Sequence, residues 1–165
     1  MRDTTDITQA IETHSDTVYR VCSLYFHMRP ERDDAYQDTF LKYAQSSKEF
    51  ADEEHKKAWL ISVAANTCKD ILRRAESRTV LTDEIEESAR PSWQPEDSGA
   101  TSDRADQLNE ALQQLDDKYR VPLYLKYYEG YTAAEIAEIM GIPENTVYTN
   151  LARGRDRLKE VLTRG

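Results

Sequence analysis

Between residues 75 and 117 the chain carries 12 acids and only three bases, and within that span lies ARPSWQPEDSGATSD, Ala89 to Asp103. This stretch has two prolines, one glycine, four Ser/Thr and no apolar periodicity. It constrains the fold more than any other feature, because such a composition cannot bury enough apolar surface to offset the entropy of ordering it. The 165-residue chain is thereby cut into two pieces, each of which has to build a small core of its own. Five Gly and five Pro are too few for a turn-rich β sandwich, while Ala, Leu, Glu, Lys, Arg and Gln are plentiful. The expected class is therefore all-α, with two small helical domains over 1–75 and 105–165 joined by a flexible acidic linker over 76–104. No internal repeat relates the halves.

The formal net charge is -9, from 31 acids and 22 bases, and the segment 75–117 accounts for all of the excess, leaving 19 of each sign elsewhere. The mean hydropathy is -0.79, and no apolar run approaches the roughly 18 residues a membrane span needs. The N-terminus MRDTTDITQ lacks a basic segment followed by an apolar one, so a cytoplasmic protein is expected. Cys22 and Cys68 imply neither a disulfide framework nor a zinc site and read as buried thiols. His14, His27 and His55 fall in no HExxH spacing, and no nucleophile sits in a Gly-rich elbow beside a base. Catalysis, a metal, a cofactor and a small-molecule substrate are all unexpected.

In the first piece, Ile7, Ile11, Val18, Val21, Cys22 and Tyr25 recur at helical spacing from Asp6 onward. After a break at Pro30, a second helix over Arg32 to Ala44 should bury Ala35 and Phe40, with Tyr36 or Tyr43 beside them. The polar loop QSSKEFADEEH leads into a third helix over Lys56 to Arg74, whose apolar stripe is Trp59, Leu60, Val63, Ala64, Ile71 and Leu72. Lys56, Lys57, Lys69, Arg73 and Arg74 against Asp70 make this helix basic, which suits either a nucleic-acid face or a solvated surface.

In the second piece, Leu108, Leu112 and Leu115 predict a helix from about Arg104 to Leu115, and another follows over Asp117 to Glu129. Pro122 is tolerable there only near the first turn, and Gly130 suits a left-handed cap. Thr132 and Glu135 form the S/T-x-x-E capping box of a short helix containing Ile136, Ala137 and Met140, which Gly141 stops. The stretch GIPENTVYTNLARGRDRLKE, Gly141 to Glu160, then opens a longer helix with Val147, Leu151, Leu158 and Leu162 on one face. Ala134 and Ala137 are small where the two helices should cross.

This is a helix-turn-helix pattern, in which the second helix enters the DNA major groove with its N-terminal residues at base edges. Glu144, Asn145, Thr146, Tyr148 and Thr149 then lie near the groove, with Arg153, Arg155 and Lys159 toward phosphates. The blander alternative makes Asn145 and Thr146 helix caps and the arginines a solvated face.

These residues carry a resemblance to the extracytoplasmic-function sigma factors of the bacterial sigma-70 family, over nearly the whole chain. ERDDAYQDTFLKYAQ resembles the region 2 helix that docks on RNA polymerase, with Asp34, Gln37, Asp38, Thr39 and Phe40 in matching places. KAWLISVAANTCKDILRR resembles the helix that recognises the minus-ten element, with Trp59, Leu60, Ala64, Asn66, Asp70, Leu72 and Arg73 matching. The segment from Leu112 to Glu160 resembles region 4, the minus-thirty-five reader. Ala35 departs from the larger aliphatic usual on the docking helix, and Tyr148 and Asn150 stand where the family often has Lys and Arg.

The resemblance implies a protein that binds core RNA polymerase and promoter DNA and helps open the duplex, and that is held inactive by an anti-sigma factor, often membrane-bound. It implies core-polymerase binding by Asp34, Gln37, Asp38 and Phe40, and minus-ten contacts by Phe50, Asn66, Lys69, Asp70, Arg73 and Arg74. It further implies that the loop from about Ser47 to His55 cups an extruded base, Phe50 being either a stacking surface or a packing residue beneath it. The rival reading is a stand-alone helix-turn-helix regulator with a sensing or dimerising N-terminal domain.

Overall fold

The computed structural model describes residues 1–79 and 110–164. Among these there is no strand, and the helices fall into two compact units. The stretch expected to be a linker lies largely outside the described residues, as does the start of the helix expected from Arg104, of which 110–113 are helical.

The first unit packs three helices against one another: α1 (Thr4–Tyr25), α2 (Pro30–Gln45) and α3 (Glu53–Thr79). Pro30 opens α2 instead of preceding it, since a first-turn residue needs no intrahelical N–H bond. Asp52 starts α3 three residues earlier than expected by accepting the His55 amide at 2.9 Å. The helix also runs past Arg74 to Thr79.

Each helix of this unit meets two neighbours, so its buried arc is wider than a single stripe and rotates with the packing. On α1 the core positions are Ala10, His14, Val18, Val21 and Cys22, whereas Ile7 and Ile11 are only half-buried. On α3 they are Leu60, Ile61, Ala64, Ala65, Thr67 and Cys68, while Trp59, Val63, Ile71 and Leu72 lie at the margin. Both cysteines are buried free thiols.

The second unit contains α4 (Asp117–Tyr127), α5 (Ala133–Met140) and α6 (Glu144–Arg164). Pro122 sits inside α4, not at its first turn, and is buried there. The Arg120 guanidinium donates to the carbonyls of Leu112 (2.9 Å) and Leu115, joining α4 to the preceding turn. Tyr131 N–H returns to the Leu125 carbonyl at 3.0 Å, with Gly130 at φ 81 making the reversal.

The Thr132–Glu135 capping box forms in both directions, at 3.2 and 2.9 Å. Gly141 ends α5 in the left-handed region at φ 66, a conformation that costs a residue with a Cβ about 1 kcal/mol. The expected close crossing at Ala134 and Ala137 is not found: Ala134 is exposed and Ala137 half-buried. The tight approach is at Gly154, where a Cβ would stand 3.0 Å from Leu123 Cδ1 and 3.3 Å from Tyr119 Cβ. Val147 and Leu151 are core residues, but Leu162 is 44% exposed, because α6 runs on beyond the elements it packs against.

Candidate nucleic-acid interface

The helix-turn-helix presents a row of exposed side chains on the first turns of α6. Glu144, Asn145, Thr146, Tyr148 and Thr149 all face solvent, and the first-turn amides of Thr146 and Val147 bond to the Pro143 carbonyl at 3.0 and 3.2 Å. Asn145 and Thr146 thus sit inside the helix and not at its cap. Thr149 Oγ1 donates to the Asn145 carbonyl at 3.0 Å, and the Tyr148 hydroxyl to Glu144 Oε1 at 3.4 Å, local bonds that a base edge can replace. Arg153, Arg155 and Lys159 are exposed farther along, while Asn150 is half-buried. Arg155 Nη1 donates to the Tyr127 hydroxyl at 3.1 Å.

On α3, Asn66, Lys69, Asp70 and Arg73 are spaced i, i+3, i+4 and i+7, so they form one stripe, with Arg74 next to it. Asn66, Arg73 and Arg74 are exposed, and Arg73 is ion-paired with Asp70. Lys56, counted with the basic residues of this helix, is committed to the bundle: Nζ lies 3.3 Å from Glu53 and 3.7 Å from Asp6, and 5.8 Å from the Tyr43 ring centroid. Burial would lower its pKa, but the Tyr43 and Glu53 partners outweigh that and raise it.

Phe50 packs: its ring is 6.3 Å from that of Tyr43 and 5.5 Å from that of Trp59, leaving it half-buried. Arg2 clamps the same loop, a role without any sequence signal. Its backbone N–H reaches the Ala44 carbonyl at 2.9 Å and Nε the Tyr43 carbonyl at 2.8 Å, while Nη2 donates to the Lys48 carbonyl. The guanidinium lies 4.1 Å from the Tyr43 ring centroid. An opening of about 450 Å³ beside the loop is lined by Arg2, Asp6, Glu49, Phe50, Asp52, Glu53 and Lys56, four carboxylates against two cations. The Tyr43 hydroxyl, bonded at 2.7 Å, holds the Asp6 carboxyl below its ordinary range against the opposing effect of burial, helped by Arg2 and Lys56. His14, buried on α1, does the same for Glu53 at 2.7 Å.

On α2 the structure divides the four residues read together in sequence. Asp34 and Gln37 are exposed and Asp38 is half-exposed, paired to Lys42 at 3.2 Å, but Phe40 is buried against Tyr36 with ring centroids 5.2 Å apart. Ala35 is fully buried as well, so its small size answers to core packing and not to a docking surface. The apolar member of the exposed stripe is Leu41, 51% exposed and seven positions after Asp34. That spacing was legible in the sequence and was obscured by the neighbouring Phe40. Among the described residues, no group of three or more His, Cys, Asp or Glu is placed to hold a metal ion. No helix among them is long and apolar enough to cross a membrane.

Comparison with known proteins matches residues 10–78 to Sigma-70 region 2 and residues 105–158 to Sigma-70, region 4. The chain is 30% identical over 154 residues to the RNA polymerase sigma factor SigV of Bacillus subtilis, covering 93% of this chain and 89% of SigV. It is 26% identical over 161 residues to the ECF RNA polymerase sigma factor SigW of the same organism, covering 92% and 86%. A solved structure with similar architecture is the sigma factor RpoE in complex with the anti-sigma factor NepR from Bartonella quintana, with a TM-score of 0.77 at 23% identity, over 96% of this chain and 97% of that one. Two family regions in their usual order, and full-length similarity to curated members, place the chain in the sigma-70 family as an extracytoplasmic-function RNA polymerase sigma factor.

Proposed function

We propose that the chain binds core RNA polymerase and directs it to promoters, its two units dividing the work of recognition. The α4–α6 unit, proposed to span 105–165, reads the minus-thirty-five element as duplex. The α1–α3 unit, proposed to span 1–75, holds the minus-ten element, and the acidic segment 76–104 joins them. The observation that carries this reading is the second unit's turn. A formed capping box, a left-handed Gly141 and an exposed row on the first turns of α6 make a helix that can enter a major groove.

In this reading Glu144 accepts from a cytosine amino group and Asn145 pairs with adenine, Thr146, Tyr148 and Thr149 contact base edges and sugar, and Arg153 and Arg155 hold phosphates. Asn66, Lys69, Asp70, Arg73 and Arg74 face the non-template strand. Phe50 acts by shaping the 46–52 loop, packed against Tyr43 and Trp59. The four carboxylates around the opening beside that loop suit the amino protons of an extruded base and disfavour phosphate. Asp34, Gln37, Asp38 and Leu41 form the polymerase-facing stripe, with Phe40 supporting it from inside. The protein works in the cytoplasm, catalyses no reaction of its own, and is restrained by an anti-sigma protein, as RpoE is bound by NepR in its complex.

Run-off transcription with core polymerase on a promoter library tests the proposal. Promoter-specific transcripts above those of core alone are expected. Their absence, or operator binding by the purified chain as a symmetric dimer, would replace it with the stand-alone regulator.

A further inference from the structure

The row on α6 leaves Tyr127 unexplained. This residue ends α4 with 61% of its surface exposed, yet its hydroxyl is engaged by Arg155, 28 positions later on α6. Among the described residues that hydroxyl is the hydrogen-bond partner of the Arg155 guanidinium, and no carboxylate neutralises it. Arg155 follows Tyr148 by seven positions, so the two share one flank of α6 beside the proposed groove-facing row.

The chemistry of the pair is specific. A phenol hydroxyl has one proton to donate and lone pairs to accept with, whereas a guanidinium only donates. With Arg155 Nη1 donating to the Tyr127 oxygen, the hydroxyl proton cannot point back at Arg155 and is available to an outside acceptor. The remaining guanidinium N–H groups are available too. Two donor groups, one cationic and restrained by its neighbour, call for an anion with more than one oxygen, and a backbone phosphodiester has two non-bridging oxygens. An exposed arginine otherwise loses rotamer freedom when it is immobilised. The Tyr127 bond removes part of that cost before DNA arrives.

We infer that Tyr127 and Arg155 form a clamp for one backbone phosphate of the minus-thirty-five duplex, Arg155 supplying the charge and Tyr127 both orienting it and donating its own hydroxyl. The inference rests on the reading of α6 as the minus-thirty-five helix.

The test uses holoenzyme reconstituted from the full chain and core polymerase, on a promoter fragment recovered by run-off selection, with affinity measured across a salt series. Tyr127→Phe should bind about three- to tenfold more weakly, the net worth of one solvent-exposed hydrogen bond. Arg155→Gln should bind more weakly still and flatten the dependence of log affinity on log salt by about one. The double variant should lose less than the sum of the two single losses, since the orienting part of Tyr127's effect needs Arg155. A methylphosphonate scan of the backbone should find one position where removing the charge abolishes the effect of Tyr127→Phe. Because Tyr127→Phe deletes one exposed oxygen, the melting temperature should not move. The clamp is overturned if Tyr127→Phe binds like the parent, if its loss persists undiminished beside Arg155→Gln, or if affinity for core polymerase falls in place of affinity for DNA. A parent holoenzyme that forms no promoter-specific complex overturns the minus-thirty-five reading and the clamp with it, whereas a specific complex indifferent to Tyr127→Phe overturns the clamp alone.

Discussion

Arg2 donates to three backbone carbonyls, those of Ala44, Tyr43 and Lys48, and its Nη1 meets Asp6 at 3.1 Å. It thereby ties the end of α2 and the loop after it to the start of α1. Arg2→Ala should destabilise the first unit by about 1–2 kcal/mol, read as a lower urea midpoint of Trp59 fluorescence in a Trp93→Phe background. An unchanged midpoint would show the clamp to be ornamental. Asp6 and Glu53 add a pH dependence with a defined sign. Both carboxyls are held below their ordinary values in the folded state, so the stability they contribute is fully present above about pH 4.3. It is lost as pH falls from there through the lowered folded-state values. The same Trp59 midpoint should therefore drop on acidification below about pH 4, and Asp6→Asn should flatten that drop while lowering the plateau above it.

At the scale of elements, α4 and α6 meet through a glycine that no local pattern announced. Gly154 lies mid-helix, where its low propensity costs about 1 kcal/mol relative to Ala, and its absent side chain leaves room for Leu123 and Tyr119. Gly154→Val should force the helices apart at a cost of about 1–3 kcal/mol. Hydrogen exchange should accelerate in α4 and α6 while α1–α3 stay protected. Gly154→Ala should cost much less, since the nearest atom is the flexible end of Leu123 and Ala recovers helix propensity. Equal protection in the valine variant would mean that the two helices adjust freely. The helix-turn-helix itself was readable because its signals are local: Thr132 to Glu135 and Gly141 act within a turn of where they stand.

For the whole molecule, the separation of charge matters more than its sum. Outside 75–117 the chain balances 19 acids against 19 bases, and a polymerase that holds both units raises the effective concentration of each proposed DNA face for its element. The acidic segment between them should repel free DNA and suit a basic channel. Replacing Asp83, Glu84, Glu86 and Glu87 with their amides should tighten binding of the isolated chain to random DNA by about three- to tenfold at low salt, and weaken its affinity for core polymerase. If competition assays show neither change, the acidic segment is only a spacer.

Helical class, the order of the described helices, the division into two units and the turn between α5 and α6 were all determined by the sequence alone. Each follows from composition or from residues within about one helical turn of one another, where 3.6-residue periodicity and caps operate. Burial of Ala35 and Phe40 was legible too, but tertiary structure decided how far the inward faces rotate, placing Ile61 and Ala65 of α3 in the core and Trp59 and Val63 at its margin. It also decided the contacts of Arg2, Gly154 and Tyr127, which bridge 28 to 46 positions. A helix in a three-helix bundle buries an arc set by its neighbours, and which distant side chain completes a hydrogen bond or fills a gap is settled only when the elements pack.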